Sequence, residues 1–217
     1  MHDFRFPGET DEYRSAREQL LRAELELKRR TEAVAQLRRE LPLGGAVPTD
    51  YVFDDAAGGQ ARLSELFGEH DTLVLYNFMF GPNAATPCPM CSSFLDGLHG
   101  NTHQIMQRVA LAVVARSPIE RVRDYARERG WHRFRMLSSA RNDFNRDYHG
   151  EDESGAQNPM LHVFVRRADG IHHTWSSELQ FLDGDPGQNQ RHLDTMWPLW
   201  NVLDLTPAGR GEWYPPL

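Results

Sequence analysis

Thr86-Pro87-Cys88-Pro89-Met90-Cys91-Ser92-Ser93 comes a few residues after Leu73–Phe80 (LVLYNFMF), and these two stretches decide how the rest of the chain is read. LVLYNFMF is a nearly continuous apolar run of strand length, the pattern of a central strand buried on both faces. A C-x-x-C that follows such a strand and opens a helix is the context in which paired cysteines do redox chemistry. With Cys88 at the cap, Pro89 takes the first helical position, where a missing N–H costs nothing. The Cys88 sulfur then faces the free N–H groups of the helix start, which favours thiolate and makes it the nucleophile. Cys91, almost one turn further in, is the more buried partner and the resolving thiol. Bridging residues three apart constrains the chain little, so the bond would be chemical in purpose.

The flanking segments predict an α/β architecture. Tyr51-Val52-Phe53 reads as a short strand, Asp54 to Gln60 as a turn and 63–67 as a helical turn. One helix is expected from Pro89 to about Arg108. Val109–Ala115 is a second buried strand. Ser117 caps a helix that runs to Gly130, with Pro118 at its first position. Phe134–Leu137 is a third strand, Met160–Val165 and Ile171–Trp175 form a hairpin around Asp169-Gly170, and Met196–Leu205 is a closing helix with Pro198. This order describes helices packed on a central mixed sheet.

Residues 11–41 are rich in Arg, Glu, Leu and Ala, and no Gly or Pro intervenes before Pro42. Leu20, Leu27, Val34 and Leu41 recur every seven residues, which predicts a long helix, either packed along its own domain or pairing with a second subunit as a homodimer. Pro42, Gly44, Gly45 and Pro48 end it, giving an N-terminal helical arm (1–45) and a domain (46–217).

Composition narrows the function classes. The 217 residues carry 24 Lys plus Arg against 31 Asp plus Glu, a net charge of −7, so no nucleic-acid surface is expected. No apolar run reaches the roughly 18–20 residues of a membrane span, and the first ten residues lack the pattern of a secretory leader, so a cytoplasmic location is expected. Two cysteines are too few for a disulfide scaffold. No dinucleotide fingerprint, phosphate loop or nucleophile–His–Asp spacing occurs, and neither a cofactor nor a resident metal is expected. One metal reading remains open: Cys88, Cys91, His99 and His103 have the ligand types of a Cys₂His₂ site, provided the helix breaks at Gly97 or Gly100. Ser138, Ser139, Arg141, Asn142, Asp143, Asn145, Asp147 and Tyr148 read as a capped turn and solvated helix end, or else as the lining of a polar pocket. His172-His173 reads as structural, and Trp131, Trp175, Trp197, Trp200 and Trp213 as core or interface anchors.

With the strand, the CPMC helix start and the hairpin in place, the chain resembles the thioredoxin-like superfamily. More closely, it resembles a bacterial thioredoxin-like family of unknown function. YVFDDAAGGQARLSELF, LVLYNFMFGP, PCPMCSSFLDGL, LAVVARSPIERV, LSSARNDFNRDYHGE, FVRRADGIHHTWSSEL and LWNVLDLTPAGRG carry that likeness. It implies a thioredoxin-like (peroxiredoxin-type) sandwich with a long N-terminal helix, and a cis-proline loop at Asn158-Pro159-Met160 that lies against the cysteines and binds substrate. Pro82-Asn83-Ala84-Ala85-Thr86-Pro87-Cys88 is also similar to the Pro-x-x-x-Thr-x-x-Cys loop of peroxiredoxins, with the cysteine one residue early. No Trp precedes Cys88, and the stretch from Cys91 to Pro159 is longer than in thioredoxin. The expected function is thiol–disulfide exchange, with a disulfide substrate and a separate electron donor. The alternatives are thiol-dependent peroxide reduction and a non-enzymatic metal-binding or interaction module.

Overall fold

The computed structural model describes residues 4–184, 186 and 192–217, which fall into two compact units, Met1–Pro42 and Leu43–Leu217. The first is built on one helix, α1 (Asp11–Glu40), roughly 45 Å long at 1.5 Å per residue. Thr10 caps it by accepting the Tyr13 N–H, and Asp11, Glu12, Arg38 and Arg39 oppose the helix dipole at its two ends. Pro42 follows too closely for the helix to continue. Leu20, Leu27, Val34 and Leu41 of the heptad are all exposed.

The second unit is a seven-stranded mixed sheet. Its strands are β1 (Val52–Asp55), β2 (Gln60–Arg62), β3 (Thr72–Phe78), β4 (Ala110–Ala115), β5 (Arg135–Ser138), β6 (Leu161–Arg167) and β7 (Gly170–Ser176), in the order β2-β1-β5-β4-β3-β6-β7. β3, β4 and β5 are parallel, and β6 runs antiparallel to β3. β2 begins at Gln60, the last residue of the expected turn, and was not foreseen as a strand; Gly58 and Gly59, both at positive φ, reverse the chain tightly enough for Gln60–Arg62 to pair back onto β1. β3 is hydrogen-bonded on both edges and β4 is buried throughout, as their apolar runs require.

Alternation along the strands sorts the core into two faces. Tyr76, Phe78, Leu111, Val113 and Leu161 meet α2 (Pro89–His99), α4 (Ile119–Glu128) and α6 (Pro198–Leu203) on one side. Phe53, Leu73, Leu75, Val114, Phe144 and Phe164 fill the other. Each buried aromatic or aliphatic side chain contributes about 1.5–3 kcal/mol relative to exposure.

Two helix expectations are corrected. The segment after Cys91 is two helices, α2 and the short α3 (Thr102–Ile105), because the chain turns at Gly100 and Asn101. Gly97 does not break α2; its missing Cβ lets Pro198 of α6 approach, since a Cβ there would lie 3.2 Å from the proline Cδ. Ser117 is not a side-chain cap. Pro118 occupies the N-cap position of α4, and the buried Ser117 hydroxyl instead donates to the Gly81 carbonyl at 3.0 Å. Among the described residues no helix is long and apolar enough to cross a membrane.

Candidate active site

Cys88 is the N-cap of α2, with φ −66° and ψ 124°, and Pro89 stands at the first helical position. Its sulfur accepts the Cys91 N–H at 3.5 Å. The local chain is held from several sides. The Cys88 N–H donates to Met79 at 3.0 Å, and the Ser92 hydroxyl donates to the Cys88 carbonyl at 3.0 Å. Arg121 reaches from α4 to the carbonyls of Pro82, Ala84 and Ala85, so one guanidinium fixes the loop that delivers the cysteine.

The two thiols have opposite electrostatics. A hydrogen bond from the Cys91 thiol, helped by the Cys91 and Met90 backbone N–H groups, outweighs burial and brings the Cys88 pKa down to about 6. Burial first, and the neighbouring Cys88 second, push Cys91 well above its ordinary value. A hydrogen bond with the buried Tyr76 hydroxyl opposes that rise. Cys91 is 2% exposed while Cys88 is half-buried, so one sulfur is presented to substrate and the other waits behind it.

An apolar cavity of about 210 Å³ opens on the pair, walled by Met79, Met90, Pro159, Leu193, Trp197 and Trp200, with Tyr76, His192 and Asp194 at its polar points. Cys88 also lines a second, polar depression of about 580 Å³ that includes Thr86, Arg116, Glu151 and Gln157. Arg116 there is paired with Glu151 at 3.1 Å and donates to the Ser139 carbonyl at 2.5 Å.

Pro159 shares the apolar cavity with both cysteines. Its peptide bond is trans, as is every other described peptide bond, which corrects the expected cis-proline loop. The anchors on either side give the reason. The Asn77 side chain donates to the Asn158 carbonyl at 2.5 Å, and the Asn77 backbone N–H donates to the Met160 carbonyl at 2.7 Å, so the chain enters β6 directly. Met160 is buried, and Asn158 lies outside the cavity with its amide donating to the His149 carbonyl at 3.0 Å.

Asn77 centres a buried network that sequence reading missed. Its Oδ1 accepts from Asn145, whose own Oδ1 accepts from Ser139, at 2.7 and 2.6 Å. Ser138, Ser139 and Asn145 are therefore core polar groups, not a solvated helix end; the segment carries only the four-residue α5 (Phe144–Asp147). A polar residue inside LVLYNFMF was the available signal, since a buried amide must find partners. Trp197 and Trp200 are core residues that also wall the cavity, and nothing in the sequence pointed to Tyr76 or His192.

The possible metal set does not assemble. His99 packs on His132 and Phe134 at ring distances of 5.0 and 5.3 Å, at the far end of α2 from the cysteines, and His103 bonds Gln107. Among the described residues no group of three or more His, Cys, Asp or Glu side chains could hold a metal ion.

A β7-β6-β3-β4 core with β6 antiparallel, and paired cysteines where the chain leaves β3 for its crossover helix, define a thioredoxin-like protein. Residues 5–216 match the model of a family described as "Bacterial protein of unknown function (DUF899)", and the chain belongs to that family. No curated protein matches it. Similar solved structures include the peroxidoxin BcpB of Mycobacterium tuberculosis, 18% identical over 76% of this chain and 99% of that one, with a TM-score of 0.46. Peroxiredoxin Q of Xanthomonas campestris is 15% identical over 75% of this chain and 96% of its own, with a TM-score of 0.47. A secreted Mycobacterium tuberculosis disulfide oxidoreductase is 16% identical over 69% and 96%, with a TM-score of 0.40. Such distant likeness says nothing about chemistry, which has to come from the site.

Proposed function

We propose that the chain is a thiol–disulfide oxidoreductase in which Cys88 attacks and Cys91 resolves. The supporting observation is the asymmetry of the pair: a half-buried sulfur at a helix N-terminus, with a pKa near 6, in front of a buried thiol held protonated. The Cys88 thiolate attacks one sulfur of a substrate disulfide, forming a mixed disulfide and releasing the other sulfur as thiolate. Cys91 passes its proton to a departing thiolate and attacks Cys88. The second substrate thiolate leaves, and a Cys88–Cys91 disulfide remains. An external dithiol returns the pair to its reduced form. The apolar cavity beside Pro159 suits the hydrocarbon part of a small substrate better than a broad polypeptide surface.

Equilibration of the purified protein in defined thiol buffers tests this reading. A reversible two-electron transition between roughly −300 and −120 mV is expected. Failure to form the Cys88–Cys91 disulfide at any poise overturns it.

A second reading, peroxide reduction, is favoured by one observation: Thr86 and Arg116 line the polar depression that Cys88 also reaches. There the thiolate would attack a peroxide oxygen and release an alcohol or water. The resulting sulfenic acid would condense with Cys91 to the same disulfide, releasing one water. Stopped-flow mixing with hydrogen peroxide separates the two: oxidation no faster than that of free cysteine eliminates the second.

A further inference from the structure

Between α5 and β6 the chain makes a loop that walls both openings onto Cys88. Glu151, Ser154, Gly155 and Gln157 line the polar depression, Pro159 lines the apolar cavity, and Cys88 belongs to each. The loop holds its own shape. Glu151 and Gln157 form an antiparallel bridge, and the Asp152 carboxylate accepts the Ser154 and Ala156 N–H groups, both at 2.9 Å. Its ends meet where the Asn158 N–H donates to the Gly150 carbonyl at 2.9 Å. In a loop closed on itself in this way, whatever fixes the two ends sets both walls.

One side chain fixes both ends. Asn77, on β3 and 0% exposed, donates from Nδ2 to the Gly150 carbonyl at 3.0 Å and to the Asn158 carbonyl at 2.5 Å. Its Oδ1 accepts from Asn145 of α5 at 2.7 Å. Two donors and an acceptor on one planar group require an amide; a carboxylate has no donor and a hydroxyl only one. The fit is close, because a Cβ on Gly150 would lie 2.7 Å from Asn77 Nδ2 and 2.8 Å from its Cγ.

The same stretch of β3 also places the nucleophile. The Asn77 backbone N–H donates to the Met160 carbonyl at 2.7 Å, so Pro159 lies between two carbonyls that one residue holds. Two residues further on, the Met79 carbonyl accepts the Cys88 N–H at 3.0 Å. Sulfur and cavity wall are therefore set from one strand end, and a displacement of the wall by even about 1 Å changes how a substrate meets the thiolate.

We propose that Asn77 is a positioning residue, which clamps the 150–159 loop beside Cys88 and thereby selects the substrate group that lies against Pro159. For the identity of the reaction, this rests on the thiol–disulfide reading above.

Methyl and benzyl methanethiosulfonate test it on the full chain at pH 7. With either reagent the Cys88 thiolate takes up the RS group and expels methanesulfinate, so the reacting centre is constant and only R differs. Loss of the free Cys88 thiol is followed by quenched-flow mass spectrometry. Relative to free cysteine, the wild-type chain should prefer the benzyl reagent by about tenfold. In Asn77→Ser, and in Gly150→Ala, which keeps the amide but displaces it, that preference should fall about fivefold or more. The half-maximal pH of Cys88 should stay near 6 in both. A residue that only stabilises the fold would change both rates together. No preference in the wild type, a preference kept in either folded variant, or a preference lost only together with the half-maximal pH would each overturn the clamp. Should Asn77→Ser not fold, Gly150→Ala decides. Failure of the Cys88–Cys91 couple in thiol buffers would overturn the reaction and leave this ratio standing, whereas an unselective Cys88 overturns the clamp alone.

Discussion

Each face of the sheet buries a titratable pair, and the two pairs behave differently. Cys88 and Cys91 lie over the face that packs α2 and α6; His162 and His173 lie on the opposite face among Phe144, Tyr148 and Phe164. Burial drives Cys91 up and His162 down to about 3, in both cases towards the neutral form. Cys88 escapes because its half-buried sulfur is surrounded by donors: the Cys91 thiol and the first N–H groups of α2. His162 meets another imidazole and, among the described residues, no charge-stabilising partner. Burial alone makes a titratable group inert; burial beside a helix N-terminus makes it reactive.

The first way to break this comparison is to remove each sulfur. Cys88→Ser should lower disulfide turnover ~10³-fold or more, whereas Cys91→Ser should keep the nucleophile and accumulate a mixed disulfide with substrate. Mass spectrometry of the quenched reaction distinguishes them. Equal loss without a trapped adduct in Cys91→Ser would deny the division of labour.

On the histidine face the expected effect is on stability. Below pH 6.5 the unfolded chain takes up a proton that folded His162 refuses until about pH 3. Stability present above pH 6.5 is thus lost as pH falls towards 3, by a few kcal/mol at most. In His162→Leu the loss of Tm between pH 7 and pH 4.5 should shrink markedly; an unchanged slope would show that His162 does not titrate in this way.

A smaller effect is expected where the two faces meet the Pro159 loop. A Cβ on Gly150 would lie 2.7 Å from the Asn77 amide nitrogen, so Gly150→Ala must displace the residue that anchors Asn158. A loss of about 1–3 kcal/mol in denaturant unfolding is expected, and no loss would mean that the network adjusts freely. The smallest effect belongs to α1, where Leu27 is 67% exposed. Leu27→Gln should change monomer stability by less than about 0.5 kcal/mol.

Much of the cysteine face could be read directly from the chain. An apolar strand, a C-x-x-C and a proline at the first helical position are local signals, and α2 forms where they place it. The hairpin of β6 and β7 was equally legible, although its turn is Ala168-Asp169, one residue before the pair expected, with Gly170 opening β7 at a positive φ. What escaped depends on residues distant in sequence. Asn77 meets Asn145 and Asn158 only after β3 and β6 pair, and the His162–His173 contact needs the irregular register at Val163/Phe164. The trans Asn158–Pro159 bond escaped because likeness to a fold does not fix one peptide bond, which depends on the neighbours that hold its carbonyls.

The central claim is that α2 makes Cys88, and not Cys91, ionise near neutral pH. Alkylation by iodoacetamide from pH 4 to pH 9, with each thiol quantified by peptide mass spectrometry, tests it most directly. Cys88 should react with a half-maximal rate near pH 6 and level off above it, while Cys91 stays unmodified in the folded protein. Rates for both thiols that climb together towards pH 9, or labelling of Cys91 first, would contradict the claim.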